Sequence, residues 1–200
     1  MTDDSADRIV WIDCEMTGLD LVNDALIEVA AIVTDSELVP LDAGMSVVIK
    51  PPATALAQMG EVVTTMHTTS GLLAELDAGT TMDDAERQVL DYVRAHVPSA
   101  RKAPLAGNSI GTDRGFLARD MPELEGFLHY RMIDVSSIKE LARRWYPRVY
   151  FQAPAKNGGH RALADITESI RELRYYRQAV FVGAPGPDSA AAKAIASGLD

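Results

Sequence analysis

Two hundred residues, 47% of them apolar, suffice for one domain with its own core and exclude wholesale disorder. A single cysteine, Cys14, excludes an internal disulfide framework and any cysteine-built zinc cluster. Nineteen Lys and Arg against 29 Asp and Glu leave a net charge of −10, which excludes holding long nucleic acid by a general basic groove and suits either plain solubility or carboxylates that bind metal.

In chain order, three short apolar runs come first: Ile9–Ile12, Ile27–Val33 and Met45–Ile49, the last stopped by Pro51 and Pro52. Their lengths, β-branched content and intervening turn residues predict strands. The period then changes. Ala85, Val89, Tyr92, Val93, His96 and Val97 fall on one helical face, with a capping box at Thr81–Asp84 and Pro98 beyond the end. A short strand is predicted at Pro104–Ala106, then a helix over Asp113–Arg119 and a strand at Met132–Ile133. A second capping box, Ser137 to Glu140, is expected to open a helix that runs to Trp145 and ends at Pro147. Residues 148–159 read as a loop, and the last helix places Leu163, Ile166, Ile170 and Leu173 together. Strands first, then strands alternating with helices, point to an α/β fold with a mixed sheet.

The expected organisation is a flexible lead over residues 1–7, one domain over 8–182 and a disordered tail over 183–200, rich in Gly, Pro, Ser and Ala. No apolar run approaches the roughly 18 residues of a membrane span, and the acidic start is unlike a secretory leader. The expectation is a cytoplasmic protein with no membrane partner, and the lone thiol fits a reducing compartment.

Two residues apart on a strand, Asp13 and Glu15 share a face and repel unless a proton or cation lies between them. The spacing alone is weak, because this acidic chain has five such pairs. Context distinguishes this one: it follows directly on the Ile9–Ile12 run, where a buried strand emerges and open α/β sheets bind ligands. Asp113, after Gly107–Gly111, can be read alone as a helix-start aspartate favoured by the helix dipole. Asp165 interrupts an apolar helical start, and His160 lies five residues earlier beside Gly158 and Gly159.

Asp13-x-Glu15, Asp113 and His160-x₄-Asp165, in this order, resemble the DEDD exonuclease superfamily, in the DEDDh subclass whose fifth residue is histidine. Six segments, Trp11–Leu19, His67–Leu72, Gly107–Ile110, His129–Arg131, Asp134–Ser136 and Lys139–Pro147, are similar to the oligoribonuclease family within it, over roughly residues 8–182. The resemblance implies a ribonuclease-H-like fold, a five-stranded mixed sheet with strand 2 antiparallel and helices on both sides. It also implies a homodimeric 3′-to-5′ exoribonuclease that degrades very short RNAs, especially dinucleotides, to 5′-mononucleotides, and no binding of long DNA. Two other readings remain at this point: a DNA-directed proofreading exonuclease, and a non-catalytic nucleic-acid-binding module on the same fold.

By that resemblance Asp13, Glu15, Asp113 and Asp165 hold two divalent cations, Mg²⁺ or Mn²⁺, which favour oxygen donors. His160 is the general base, since an ordinary imidazole pKa of about 6.5 suits proton transfer near neutrality, and its glycines are expected to let the loop move. Cys14 should face away. Leu19 is implied as a wedge between two bases; His67, Ser109, Arg131 and Ser136 as sugar or phosphate contacts; and Tyr130 as a residue reaching the substrate end across the dimer. His96 and His129 read as structural. The family often has Trp after Met59 where this chain offers Val62, an aliphatic contact in place of a ring whose stacking is worth roughly 1–3 kcal/mol.

Overall fold

A computed structural model describes residues 4–156 and 159–199. Five strands, β1 (Ile9–Met16), β2 (Leu26–Thr34), β3 (Met45–Val48), β4 (Pro104–Gly107) and β5 (His129–Asp134), form one sheet in the order β3-β2-β1-β4-β5. β2 runs antiparallel to both its neighbours, while β1, β4 and β5 are parallel, which is the mixed ribonuclease-H-like sheet expected. Short connections between the first three strands permit antiparallel pairing, and the helical crossovers before β4 permit the parallel return.

The described helices are α1 (Ala53–Ala57), α2 (Glu61–Thr69), α3 (Leu72–Glu75), α4 (Met82–His96), α5 (Gly111–Asp120), α6 (Pro122–Phe127), α7 (Val135–Trp145), α8 (Pro147–Phe151), α9 (Ala162–Ala179) and α10 (Ser189–Ser197). Alternation along β1 feeds two cores. Val10, Ile12 and Cys14 pack with Val29, Ala31 and Val33 of β2 beneath α4 and α5, through Val89, Val93, Phe116 and Leu117. Ile9 and Trp11 pack on the other face with Ala30 and Ile32 beneath α7 and α9, through Val135, Ala142, Ile166 and Ile170. Cys14 thus takes the face opposite Asp13 and Glu15, as expected. The Trp11 indole donates to Thr34 Oγ1 at 3.1 Å, so this fully buried ring carries no unpaired N–H.

Local signals explain most elements. Thr81 caps α4 by accepting from Asp84 N at 3.2 Å. Ala85, Val89, Val93 and Val97 are buried, whereas Tyr92 and His96 are half-buried and bind the Asp42 carboxylate at 2.7 and 2.9 Å. Ile166, Ile170 and Leu173 of α9 are buried as predicted, with Leu163 half-buried.

Other elements differ from expectation. The Ser137–Glu140 capping box does not form. α7 starts three residues earlier, capped by Asp134, which accepts from Ser136 N at 3.1 Å and from the Ser137 hydroxyl at 2.6 Å. A carboxylate outcompetes a hydroxyl at a helix N-terminus, and Glu140 instead pairs with Arg143 and Arg144. Pro147 ends α7 but also opens α8 at its first turn, inside the expected loop. In the lead, Ser5 is buried and its Oγ accepts from Ser99 N. The stretch expected to be a disordered tail carries α10, capped by Asp188, with none of its residues buried. Among the described residues no helix is long and apolar enough to cross a membrane.

Candidate active site

β1 is the middle strand, and its C-terminal end delivers Asp13 and Glu15 to one edge of the sheet. The first turn of α9 brings Asp165 to the same place. One carboxylate oxygen from each of Asp13, Glu15 and Asp165 lies within 4.8 Å of the others. Asp113, in the first turn of α5, lies against them: its Oδ1 accepts from Cys14 N at 3.0 Å, which ties α5 to β1 between the two strand carboxylates. Gly107, at the end of β4, permits this convergence, since a Cβ there would sit 2.9 Å from the Ile12 carbonyl oxygen.

Four acids so placed resist ionising together. Burial, then the charges of Asp113, Asp165 and Glu15, push Asp13 up to about 9. Burial, then Asp165, Glu28 and Asp113, push Glu15 up to about 7. Burial lifts Asp113 to about 6 against the hydrogen bonds it accepts, and burial with the Glu168 charge raises Asp165. Surplus negative charge confined to oxygen donors fits a hard divalent cation, whose binding would displace the protons. The Cys14 thiol is held protonated by burial first and by Asp113 next, so it offers no thiolate ligand.

His160 is exposed, precedes α9 and has φ +47°, a left-handed conformation uncommon for a side chain of this kind. It precedes by five residues Asp165, in the first turn of α9. Gly159 is described; Gly158, half of the expected hinge, lies outside the described residues. Beside His160, Arg161 makes a clamp that sequence reasoning missed. Its guanidinium donates to Glu28 Oε1 at 3.0 Å and to Glu75 Oε1 at 2.8 Å. Glu28 is buried, lies opposite Glu15 in the β1–β2 register, and also accepts from Ser46 Oγ at 2.7 Å and Ala162 N at 3.1 Å. One charged residue within the Ile27–Val33 apolar run was the available signal.

The remaining candidates surround this cluster. Leu19 is 74% exposed and overhangs a cavity of about 250 Å³ formed with Glu15, Met16, Gly18, Val63 and Met66. Val62 does not line that cavity and is 82% exposed; its neighbour Val63 supplies the aliphatic wall. His67, expected as a sugar or phosphate contact, is fully enclosed. Its Nε2 donates to the Met16 carbonyl at 2.9 Å, and Nδ1 faces Glu15 Oε2 at 3.9 Å, so here it buttresses the end of β1. Burial lowers its pKa, keeping the ring neutral. Ser109 also has positive φ, +52°. Its N–H donates to Asp134 Oδ1 and to Ser136 Oγ at 2.9 and 3.0 Å, which groups Ser109 with Ser136. Tyr130 and Arg131 project from the edge strand β5, with the guanidinium 5.5 Å from the ring centroid. His129 keeps a structural part, its Nδ1 accepting from Arg131 N at 3.1 Å.

A ribonuclease-H-like sheet with this acidic cluster at the end of its middle strand defines the exonuclease class, and the chain matches the RNase T exonuclease family over residues 10–173. Exonuclease I from Methylocaldum szegediense superposes with a TM-score of 0.63 at 19% identity, over 86% of this chain and 40% of that one. The zinc-bound E. coli exonuclease I–ssDNA complex gives 0.67 at 14%, over 87% and 41%. These likenesses show the fold, and this chain spans well under half of either protein. The oligoribonuclease of Streptomyces griseus is 72% identical over 193 residues, 96% of each chain. That of Leifsonia xyli subsp. xyli is 64% identical over 92% of this chain and 88% of its own, and that of Mycobacterium avium 62% over 97% and 91%. The chain belongs to the oligoribonuclease family of exonucleases.

Proposed function

We propose that this protein is a metal-dependent 3′-to-5′ exoribonuclease that hydrolyses short oligoribonucleotides, dinucleotides above all, to 5′-mononucleotides. The convergence of Asp13, Glu15 and Asp165 oxygens within 4.8 Å, with Asp113 against them, carries the reading. Asp13, Glu15, Asp113 and Asp165 would hold two Mg²⁺ or Mn²⁺ ions; bound there, such ions supply positive charge to phosphoryl oxygens and acidify water.

His160 accepts a proton from the attacking water at an imidazole nitrogen. The water oxygen bonds to the phosphorus of the 3′-terminal nucleotide, the bond to the preceding 3′-oxygen breaks, and that oxygen takes a proton. Leu19, Val63 and Met66 offer an apolar seat for bases, and Ser109, Arg131 and Ser136 offer donors to sugar and phosphate. In a molecule of net charge −10, end recognition and metal must do the anchoring that a basic groove does for a polymer.

A homodimer fits the same reading. Tyr130 and Met132 on β5, Leu141 and Trp145 on α7, Tyr146 between α7 and α8, and Phe151 on α8 are exposed, an apolar and aromatic surface of the kind a second copy covers, and across that interface Tyr130 would reach the partner's substrate. We place the activity in the cytoplasm, where Cys14 stays reduced.

The test is a length series. Labelled RNA, from the dinucleotide to long strands, and matching DNA are incubated with Mn²⁺, Mg²⁺ or chelator. Metal-dependent cleavage fastest on dinucleotides is expected. Equal cleavage of DNA or long strands would overturn the substrate assignment, and no cleavage with either metal would leave a binding module.

A further inference from the structure

Leu19 is 74% exposed, so its own packing does little to fix where it stands. Yet a seat for bases has to stand still over the cavity that Glu15, Val63 and Met66 help to form. A mobile leucine would have to be ordered by each substrate, at a cost in affinity. Its position must therefore come from the backbone of the β1–β2 connection.

Asp24 closes that connection. Its Oδ1 accepts from Thr17 Oγ1 and its Oδ2 from Asp20 N, both at 2.9 Å, so one carboxylate grips the residues on either side of Gly18 and Leu19. Asp24 N donates back to the Asp20 carbonyl at 2.8 Å. Gly18 lets the carboxylate come this near: a Cβ there would lie 2.3 Å from Asp24 Oδ2. Thr17 Oγ1 in turn accepts from Ala25 N at 3.0 Å, and Thr17 N donates to the Ala25 carbonyl at 3.0 Å, which ties the two ends of the connection together. Arg119, in the last turn of α5, donates to the Leu21 carbonyl and, at 2.8 Å, to the Asp24 carbonyl. The first turn of α5 bears Asp113. One helix thus holds the leucine loop at one end and meets the carboxylate cluster at the other.

We infer that Asp24 is a positioning residue for the substrate: it locks the β1–β2 connection so that Leu19 stands fixed between the seats of two adjacent bases. This rests on the function proposed above. Asp24 does not line the cavity, so its effect passes through Leu19. Seating a base favours bound substrate and transition state alike, so its loss falls on KM rather than kcat.

The test compares a substrate with two bases and one with a single base. Steady-state kinetics are measured on an RNA dinucleotide and on the p-nitrophenyl ester of uridine 5′-monophosphate, which gives a wedge nothing to part. The proteins are wild type, Leu19→Ala, Asp24→Ala, Asp24→Asn and the double variant Leu19→Ala/Asp24→Ala. Asp24→Ala should raise KM for the dinucleotide about five- to twentyfold, with a much smaller change in kcat and in hydrolysis of the ester. The double variant should be no worse than Leu19→Ala alone, since both changes remove the same seat. Asp24→Asn should recover most of the affinity: its amide can donate to Thr17 Oγ1 while its oxygen still accepts from Asp20 N. If Asp24→Ala does not fold, Thr17→Val, which removes one of the two bonds and keeps the side chain's shape, is read in the same way against Leu19→Ala. Wild-type KM in Asp24→Ala overturns the proposal. So does an equal loss on both substrates, the mark of a merely structural role, or an additive loss in the double variant. Wild-type KM in Leu19→Ala overturns it too, since Asp24 would then have nothing to act through. Wild-type protein inert on dinucleotides overturns the underlying functional reading instead.

Discussion

Asp13 pays for its position with its charge: burial and three neighbouring carboxylates hold it protonated to about 9 while no cation is bound. Asp13→Asn should therefore abolish turnover yet raise the melting temperature of chelator-treated protein near pH 8, because folding no longer has to protonate a carboxylate that is ionised in the unfolded chain; a lowered melting temperature would identify a structural ion pair. The sign of the wider pH dependence follows. Asp13, Glu15 and Asp113 all have folded-state values above their ordinary ones. The folded state then binds more protons than the unfolded state, so their stabilising contribution is full below about pH 4 and is lost as pH rises through about 6, 7 and 9. Bound divalent ions replace those protons, so the melting-temperature gain from Mn²⁺ over chelator should grow from acid to alkaline pH. A gain that is flat with pH would separate metal binding from these carboxylates. His160→Ala should lower kcat by about 10²–10⁴ with Mn²⁺ affinity retained, as checked by single-turnover assays and calorimetry.

At the scale of elements, the five signature residues were legible because each borders a strong pattern: the end of an apolar strand, a glycine-rich turn, the start of an apolar-faced helix. α2 was not legible. Its sequence, Glu61–Thr69, is rich in Val and Thr, which disfavour helix by crowding χ1. Thr64, Thr68 and Thr69 turn their hydroxyls back on the carbonyls four residues earlier, at 3.0, 2.7 and 2.8 Å, so the helix accommodates them by local bonds. The expectation of Val62 came from the family's Trp position; in the structure Val62 is exposed, and Val63 lines the cavity beneath Leu19. Val63→Ala should accordingly raise KM for dinucleotides several-fold, whereas Val62→Ala should leave steady-state kinetics near wild type; the reverse order would restore the sequence assignment. The Arg161 clamp was hidden for a different reason, since Glu28 and Glu75 meet it only after β2, α3 and α9 have packed. Arg161→Met leaves Glu28 buried without its cation and should cost about 3–5 kcal/mol of stability by denaturant titration.

For the whole molecule, a mixed sheet followed from apolar runs and connection lengths, and its five strands with β2 antiparallel from the family resemblance, while the α7 cap and α8 depended on competition between neighbouring side chains that patterning does not resolve. The aromatic surface on β5, α7 and α8 was invisible to patterning too, because exposed Trp145 and Phe151 read in sequence like core residues. The site itself is assembled from both ends of the domain, with Asp13 and Glu15 on the middle strand and Asp165 on α9. A chain emerging from the ribosome presents its first two carboxylates almost at once but completes the constellation only after α9 has been made and has packed. A nascent chain that stops short of α9 therefore lacks Asp165 and cannot form the carboxylate cluster.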